Sequence, residues 1–103
     1  MFEIQLTAAF HAWLSQIRDV TTRARITARL RQAGSGHLGD WKSLGNGLSD
    51  MRLHWGPGWR LYFTRRHDVL MVMLAGGDKS TQSDDIQRAQ RMLRDLQDEW
   101  REP

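Results

Sequence analysis

The spacing of apolar residues in the first third of the chain predicts one strand followed by two helices. Phe2–Leu6 alternates apolar and polar residues, which is the period of a half-buried strand, and Thr7 can cap a helix after it. The apolar residues of that helix come at steps of three and four, at Phe10, Trp13, Leu14 and Ile17.

A second helix is expected after Asp19–Thr22, which breaks the first pattern and supplies a cap. Its apolar stripe consists of Ile26, Leu30 and Ala33. Gly34–Gly36 then ends the helix. We expect three arginines to share another of its faces, namely Arg18, Arg25 and Arg29.

Three strand-like stretches follow, in residues 41–44, 49–55 and 59–64. The first is weak, whereas the second and third alternate clearly between apolar and polar residues. Val69–Leu74 is apolar on both faces, which is typical of a central strand that is covered on both sides. We expect Gly76–Gly77 to end that strand.

The last part of the chain predicts an amphipathic helix. Thr81 and Asp84 resemble a capping box at its start. Apolar residues then repeat at steps of three and four, at Ile86, Ala89, Leu93, Leu96 and Trp100. The predicted order is β-α-α-β-β-β-α, which is an α+β class, in a single domain of residues 1–103.

The stretches 49–55 and 59–64 predict a hairpin closed by a three-residue turn, Gly56–Gly58. In-register pairing then places His54 opposite Arg60 and Arg52 opposite Tyr62. The apolar residues that alternate with these four would face the core, so the four polar side chains share the other face. Opposed side chains on one face lie about 5 Å apart at Cβ.

This polar face suits the cleavage of RNA. Cations directly opposed on a sheet repel each other, so stability does not explain the cluster. A base would remove the 2′-hydroxyl proton, cations would stabilise the phosphorane, and an acid would protonate the leaving 5′-oxygen, without metal or cofactor. His54 is the first candidate for the base and Tyr62 the second candidate for base or acid. A plain solvent-facing strand explains the same alternation equally well.

Composition favours a phosphate-rich partner. The net charge is +3, and of the 15 basic residues only Lys42 and Lys79 are lysine, whereas arginine binds phosphate bidentately. Trp41 is the tryptophan that could stack on a base. The chain has no cysteine, no visible signal peptide and no apolar run long enough to span a bilayer, so we expect a soluble cytoplasmic protein.

Two segments together resemble the RelE/ParE superfamily of toxins. They are Gly56–Phe63, which reads GPGWRLYF, and Leu74–Gln82, which reads LAGGDKSTQ. Phe2–Ile4, the arginine-rich second helix and Leu48–Arg52 fit the same family, so the resemblance spans nearly the whole chain. Within the superfamily, the chain is most similar to the phage-derived addiction-module killer proteins of the HigB-like type.

The resemblance implies a twisted, mainly antiparallel sheet with two N-terminal helices on one face and a C-terminal helix. It also implies the toxin of a type II toxin–antitoxin system, which enters the ribosomal A site and cuts mRNA, without a membrane partner. A cognate helix-turn-helix (HigA-like) antitoxin would block the toxin, and the toxin would reach operator DNA only through that antitoxin.

Carried over by position, the strand arginine of the family matches Arg60 and its late basic residue matches Lys79. Its basic residues before the turn match Arg52 and His54. The best-known RelE-type toxins use a tyrosine near the C-terminus in catalysis, whereas the one tyrosine here is Tyr62. The remaining RNA contacts are expected from Lys42, Trp41 and, away from the cleavage face, Arg18, Arg25 and Arg29.

Two other functions fit the same fold. ParE relatives share it but inhibit DNA gyrase without chemistry of their own, so the fold alone does not decide the target. A gyrase inhibitor has no need for His54 opposite Arg60, which favours the nuclease. An inactive nucleic-acid binder is the third possibility, and the small net charge argues against it.

Overall fold

The computed structural model describes residues 1–101, which form a five-stranded sheet with helices on both faces. The strands are β1 (Glu3–Leu6), β2 (Trp41–Gly45), β3 (Leu48–Leu53), β4 (Trp59–Arg66) and β5 (Leu70–Asp78). The helices are α1 (Ala8–Gln16), α2 (Val20–Gly34) and α3 (Gln82–Trp100), and a 3-10 turn, Lys79–Thr81, leads into α3. The order across the sheet is β1-β5-β4-β3-β2.

The predicted α+β class is confirmed. β1 lies parallel to β5, and the other three neighbouring pairs of strands are antiparallel. Two helices precede a run of four strands and one helix follows it. Among residues 1–101, none of the helices has both the length and the apolar character needed to cross a membrane.

The sheet separates two cores. On one face, Phe10 of α1 and Ile26 of α2 are fully buried against Leu61 and its apolar neighbours. On the other face, Leu93 and further apolar residues of α3 pack around Tyr62. Because β5 is covered on both faces, its residues 70–75 are apolar without alternation, as predicted for 70–74, whereas Val69 lies in the turn before the strand and is exposed.

Side-chain caps confirm two of the predicted helix starts. The Thr7 hydroxyl accepts a bond from the amide of Phe10 at 3.0 Å and donates to the carbonyl of Leu74 at 2.8 Å, which ties α1 to β5. Asp19 Oδ2 accepts from the amide and the hydroxyl of Thr22, at 3.3 and 2.6 Å. Each cap satisfies an amide that has no partner inside its helix.

The predicted register of the β3–β4 hairpin is wrong by two residues. β3 ends at Leu53, so the connection runs over residues 54–58 instead of three residues. Leu53 pairs with Trp59, and Arg52 pairs with Arg60. A shift of two keeps every side chain on its predicted face but changes every cross-strand neighbour, and it removes His54 from the sheet.

The turn is wider because it includes Trp55. The amide of Gly58 donates to the carbonyl of Trp55 at 3.1 Å, and Gly56 and Gly58 take positive φ values of 57° and 80°, which glycine allows. The indole of Trp55 packs on the core and lies 4.9 Å from the guanidinium of Arg25. Its burial therefore comes from a turn and not from a strand.

The expectation that Gly76–Gly77 end the last strand is wrong, because β5 continues to Asp78. A Cβ on Gly76 would lie 2.2 Å from the ring of Trp13, and a Cβ on Gly77 would lie 1.8 Å from the carboxylate of Asp85. The two glycines thus allow α1 and α3 to approach opposite faces of the strand closely.

The capping box predicted for Thr81 and Asp84 is also wrong. Asp78 caps the 3-10 turn instead, and its capping-box partner is Thr81. The Thr81 hydroxyl donates to Asp85 Oδ2 at 2.6 Å, so α3 begins at Gln82 without a side-chain cap.

Candidate functional site

Four cations lie around the first residues of β4, and we call them the cationic cluster: Lys42, Arg52, Arg60 and Lys79. Arg52 and Arg60 are directly opposite each other on the α3 face of the sheet. Arg60 is only 8% exposed, its Nη1 makes one long bond of 3.4 Å to the carbonyl of Trp59, and its Nε has no partner within residues 1–101. A buried guanidinium with an unused donor is suited to binding an anion.

A buried carboxylate accompanies the two opposed arginines. Asp50 in β3 is fully buried, lies opposite Tyr62, and places Oδ1 3.4 Å from Nε of Arg52. Burial raises the pKa of Asp50 above its ordinary value, although Arg52, Arg60 and Lys42 act to lower it. The ion pair therefore offsets the repulsion between the arginines without fully compensating for the desolvation of the carboxylate.

Tyr62 is buried, and the expectation that it shares an open polar face is wrong. Its side chain is fully buried in the α3 core, and its hydroxyl has no hydrogen-bond partner among the described residues. Burial, followed by the charges of Asp85 and Asp50, raises the pKa of Tyr62 to about 12. At neutral pH the phenol therefore keeps its proton and lies out of reach of a bound RNA.

α3 brings a second carboxylate to this end of the sheet. Asp85 is 7% exposed, accepts the bond from Thr81, and lies 3.2 Å from Nη2 of Arg88. It sits above Gly77, which is the β5 partner of Arg60. Its place in the first turn of α3 is favourable because the helix dipole stabilises a negative charge there.

Lys79 lies beside the turn that precedes Arg60, and Lys42 lies on the strand next to that of Asp50. A Cβ on Gly58 would lie 3.2 Å from Cβ of Lys79 and 3.9 Å from Nη1 of Arg60, so both cations flank the same turn. The Lys79 amide also donates to a carbonyl of that turn at 3.4 Å. Lys42 is exposed in β2, directly opposite Asp50.

His54 is not opposite Arg60, and its predicted surroundings are wrong. It follows the end of β3, and its Nε2 forms a hydrogen bond with Oδ2 of Asp40. That bond is the largest cause that holds the pKa of Asp40 below its ordinary value. The group in contact with His54 is thus a carboxylate rather than a pair of arginines. The two side chains are 69% and 51% exposed, so a substrate can reach them.

The three arginines that were expected to hold RNA from the second helix differ in their surroundings. Arg18 precedes α2 and is exposed, so the shared helix face predicted for it is wrong. Arg25 is stacked on Trp55. Arg29 donates from Nε, Nη1 and Nη2, at 3.0, 3.1 and 2.9 Å, to the carbonyls of Leu38, Arg52 and Asp40. Arg29 therefore joins α2 to the sheet, and its guanidinium has no pair of N–H groups left for bidentate binding of an RNA phosphate.

Trp41 lies on the opposite face of the sheet from the cationic cluster. It pairs with Met51, which is buried on the face covered by α1 and α2. Its ring is 6.4 Å from that of Phe63 and 4.9 Å from the guanidinium of Arg65, and the residue is 38% exposed. Trp41 therefore cannot stack on a base whose phosphate is bound at Arg60.

Sequence reasoning missed Asp50 and Asp85. The sequence offered one indication for Asp50, because it lies two positions before Arg52 and therefore on the same face of the strand. With a five-residue turn, it lies opposite Tyr62. The sequence offered no indication for Asp85, because this residue contacts the sheet only where Gly77 leaves room for its side chain.

One relative supports a family assignment. The chain is 37% identical over 94 residues to an uncharacterized protein of Haemophilus influenzae, and the match covers 91% of this chain and 95% of that protein. No protein-family model and no solved structure matches the chain.

Proposed function

This chain belongs to one family with the uncharacterized Haemophilus influenzae protein, and we propose that it is the toxin of a type II toxin–antitoxin pair that cuts mRNA on the ribosome. The resemblance to HigB-like toxins supports the proposal, and so does the cationic cluster. Such a toxin acts in the cytoplasm and is neutralised by a HigA-like antitoxin, which alone connects it to operator DNA.

The observation that carries the proposal is the state of Arg60. It is nearly buried, lies opposite Arg52 and beside Lys79, and keeps its Nε unused. Cations held in place in a largely desolvated site stabilise the extra negative charge that a phosphate gains when the neighbouring 2′-hydroxyl attacks it. The buried carboxylate of Asp50 lies 3.4 Å from Nε of Arg52, and its charge interacts favourably with both arginines without a hydrogen bond to Arg60.

His54 is the base in this proposal. It is exposed, it lies two residues after Arg52, and the carboxylate of Asp40 can orient its ring and stabilise the charged form once the proton is taken. Tyr62 is excluded from direct proton transfer by its burial and its raised pKa. The departing 5′-oxygen then takes its proton from the imidazolium or from water.

The test is to incubate purified protein with mRNA in the presence and absence of ribosomes. We expect cutting only with ribosomes, because about four cations give a salt slope of only about −3 on single-stranded RNA and hold it weakly at cellular salt. The Arg91→Ala variant, altered on the exposed side of α3, is the matched control and should cut normally. Equally fast cutting of naked RNA would contradict ribosome dependence.

One observation favours a second candidate, a ParE-like inhibitor of DNA gyrase. No proton-transfer group is paired across the sheet with Arg60, since His54 is bonded to Asp40 and Tyr62 is buried. An inhibitor that only binds needs no base. Induced expression separates the two candidates, because the nuclease stops protein synthesis first and the gyrase inhibitor stops DNA replication first.

A further inference from the structure

A second arginine-rich surface lies at the far end of β4, and the function proposed above does not use it. Arg65 lies over the ring of Trp41 at 4.9 Å, on the sheet face that α1 and α2 partly cover. Arg66 lies over the ring of Trp100 at 4.6 Å, on the α3 face. We call these four residues the stacked-arginine surface.

The two stacked arginines have no polar partner among the described residues. Neither Arg65 nor Arg66 makes a side-chain hydrogen bond or an ion pair within residues 1–101, whereas Arg29 directs three nitrogens to carbonyls. Stacking on an indole fixes the plane of a guanidinium and leaves its in-plane N–H groups open. A fork held in this way is already oriented for bidentate binding of a phosphate.

The surface surrounds the tip of the β4–β5 hairpin. The turn consists of residues 67–69, in which His67 and Asp68 each have a φ of 55° and Val69 is exposed. A hollow of about 400 Å³ lies on the Trp41 side and one of about 480 Å³ on the Trp100 side, and Arg65 and His67 border both. The tip is therefore a narrow wedge with a stacked arginine and an open hollow on each face.

The wedge is too far from Arg60 to share its phosphate. Arg60 and Arg66 are six residues apart in one strand, which corresponds to about 20 Å. Among residues 1–101, Asp68 is exposed at the tip and Asp98 is paired with Arg101 at 3.3 Å, and neither forms an ion pair with Arg65 or Arg66. A partner that binds the cations at both ends of β4 must therefore span about 20 Å and carry negative charge.

We propose that the stacked-arginine surface binds the phosphates of folded RNA, with the hairpin tip lying in a groove between two backbones. The proposal rests on the nuclease function above, in which that RNA is ribosomal and the contact delivers the cationic cluster to the mRNA. Arginines on opposite faces of the β4–β5 tip match the two walls of a groove, whereas a protein partner would cover one face. This surface takes the role that the sequence suggested for Arg18, Arg25 and Arg29.

The test measures the affinity for purified ribosomes by co-sedimentation over a series of salt concentrations. In the Arg65→Gln/Arg66→Gln variant, we expect the affinity to fall by about tenfold or more. We also expect the salt slope to become shallower by about 1.8, which is about 0.9 for each lost contact with a double-stranded backbone. The Arg91→Gln/Arg94→Gln variant removes the same charge from exposed positions of α3 and should change both quantities little.

A second variant separates charge from geometry. Arg65→Lys/Arg66→Lys keeps the charge but loses the planar fork, so the salt slope should recover while the affinity stays below that of the wild type. Circular dichroism checks that each variant is folded, and the cutting rate at saturating ribosome concentration should be unchanged in both.

Three results would overturn the inference. Unchanged ribosome affinity in the glutamine variant would refute the RNA contact and leave the nuclease proposal standing. Normal ribosome affinity with lost binding of the product of the neighbouring gene would assign the surface to a protein partner. A wild-type protein that binds no ribosome at any salt concentration would refute the nuclease proposal as well.

Discussion

The two ends of β4 carry arginines that are held in opposite ways. At the first end, Arg60 is nearly buried, faces Arg52 and lies near the buried carboxylate of Asp50. At the far end, Arg65 and Arg66 lie on indole rings and form no side-chain hydrogen bond or ion pair within residues 1–101. A buried carboxylate partly neutralises a cation, whereas an aromatic ring orients it and leaves its charge available.

The difference indicates a division of roles within one strand. A desolvated cation is effective where negative charge develops during a reaction, because water does not screen it. An exposed, pre-oriented cation is effective for attachment, where its contribution depends on salt. On this basis we assign RNA cleavage to the residues at the first end of β4 and ribosome binding to those at the far end.

Arg60→Ala should have the largest effect. The single-turnover cutting rate at saturating ribosome concentration is expected to fall by about 10²–10³-fold, as for other preorganised donors to a transition state, with ribosome affinity little changed. Arg65→Ala removes an arginine from the same strand and should leave this rate unchanged. A folded Arg60→Ala protein that cuts at the wild-type rate would contradict the assignment of the chemistry to the first end of β4.

Gly77→Ala should destabilise the first end by about 1–3 kcal/mol. The new Cβ would lie 1.8 Å from Asp85, so the start of α3 must move away from the strand beside Arg60. Urea unfolding measures the loss. Gly34→Ala, whose Cβ would make an ordinary contact at 3.5 Å with Ile4, is the control. Equal stability of the two variants would show that α3 is not held tightly there.

Titration of Tyr62 should show whether the carboxylates or the arginines near the first end of β4 have the larger effect on its pKa. Its pKa of about 12 results from burial and from Asp85 and Asp50, which together outweigh Arg60 and Arg52. Tyr62 is the only tyrosine, so its phenolate absorbance reports this group alone. The folded state holds the proton more tightly than the unfolded state, whose value is near 10.0, so stability should fall as the pH rises from 10 to 12. A midpoint below 10 would mean that the arginines dominate.

Arg65→Gln should have the smallest effect on stability, about 0.5–1 kcal/mol, because only an exposed stacking contact with Trp41 is lost. Arg29→Gln is the contrasting variant and should lose clearly more, since three bonds to carbonyls disappear with the guanidinium. Thermal unfolding of both variants is the measurement. A larger loss for Arg65→Gln would make that arginine structural and weaken its assignment to docking.

The periodicity of the sequence predicted most elements because the burial of apolar faces is read from local spacing. The helix stripes ending at Ile17, Ala33 and Trp100 all pack on the sheet as expected. Periodicity could not predict the hairpin register, since a shift of two residues satisfies the same pattern. The register decides whether His54 or Arg52 lies opposite Arg60, so the site predicted from the sequence had the wrong residue opposite Arg60.

The sequence by itself determined the α+β order and that Arg52, Arg60 and Tyr62 lie on one face of the β3–β4 hairpin, because alternation along a strand is a local property. The tertiary structure alone decided what those residues meet. Asp50 lies beside two arginines because of the turn length, and Asp85 reaches the sheet because Gly77 has no side chain. Trp41 and Trp100 support arginines on opposite faces because the Trp41 side chain lies on the sheet face covered by α1 and α2, whereas α3 packs on the other face. Such contacts join residues far apart in the chain, and no local spacing encodes them.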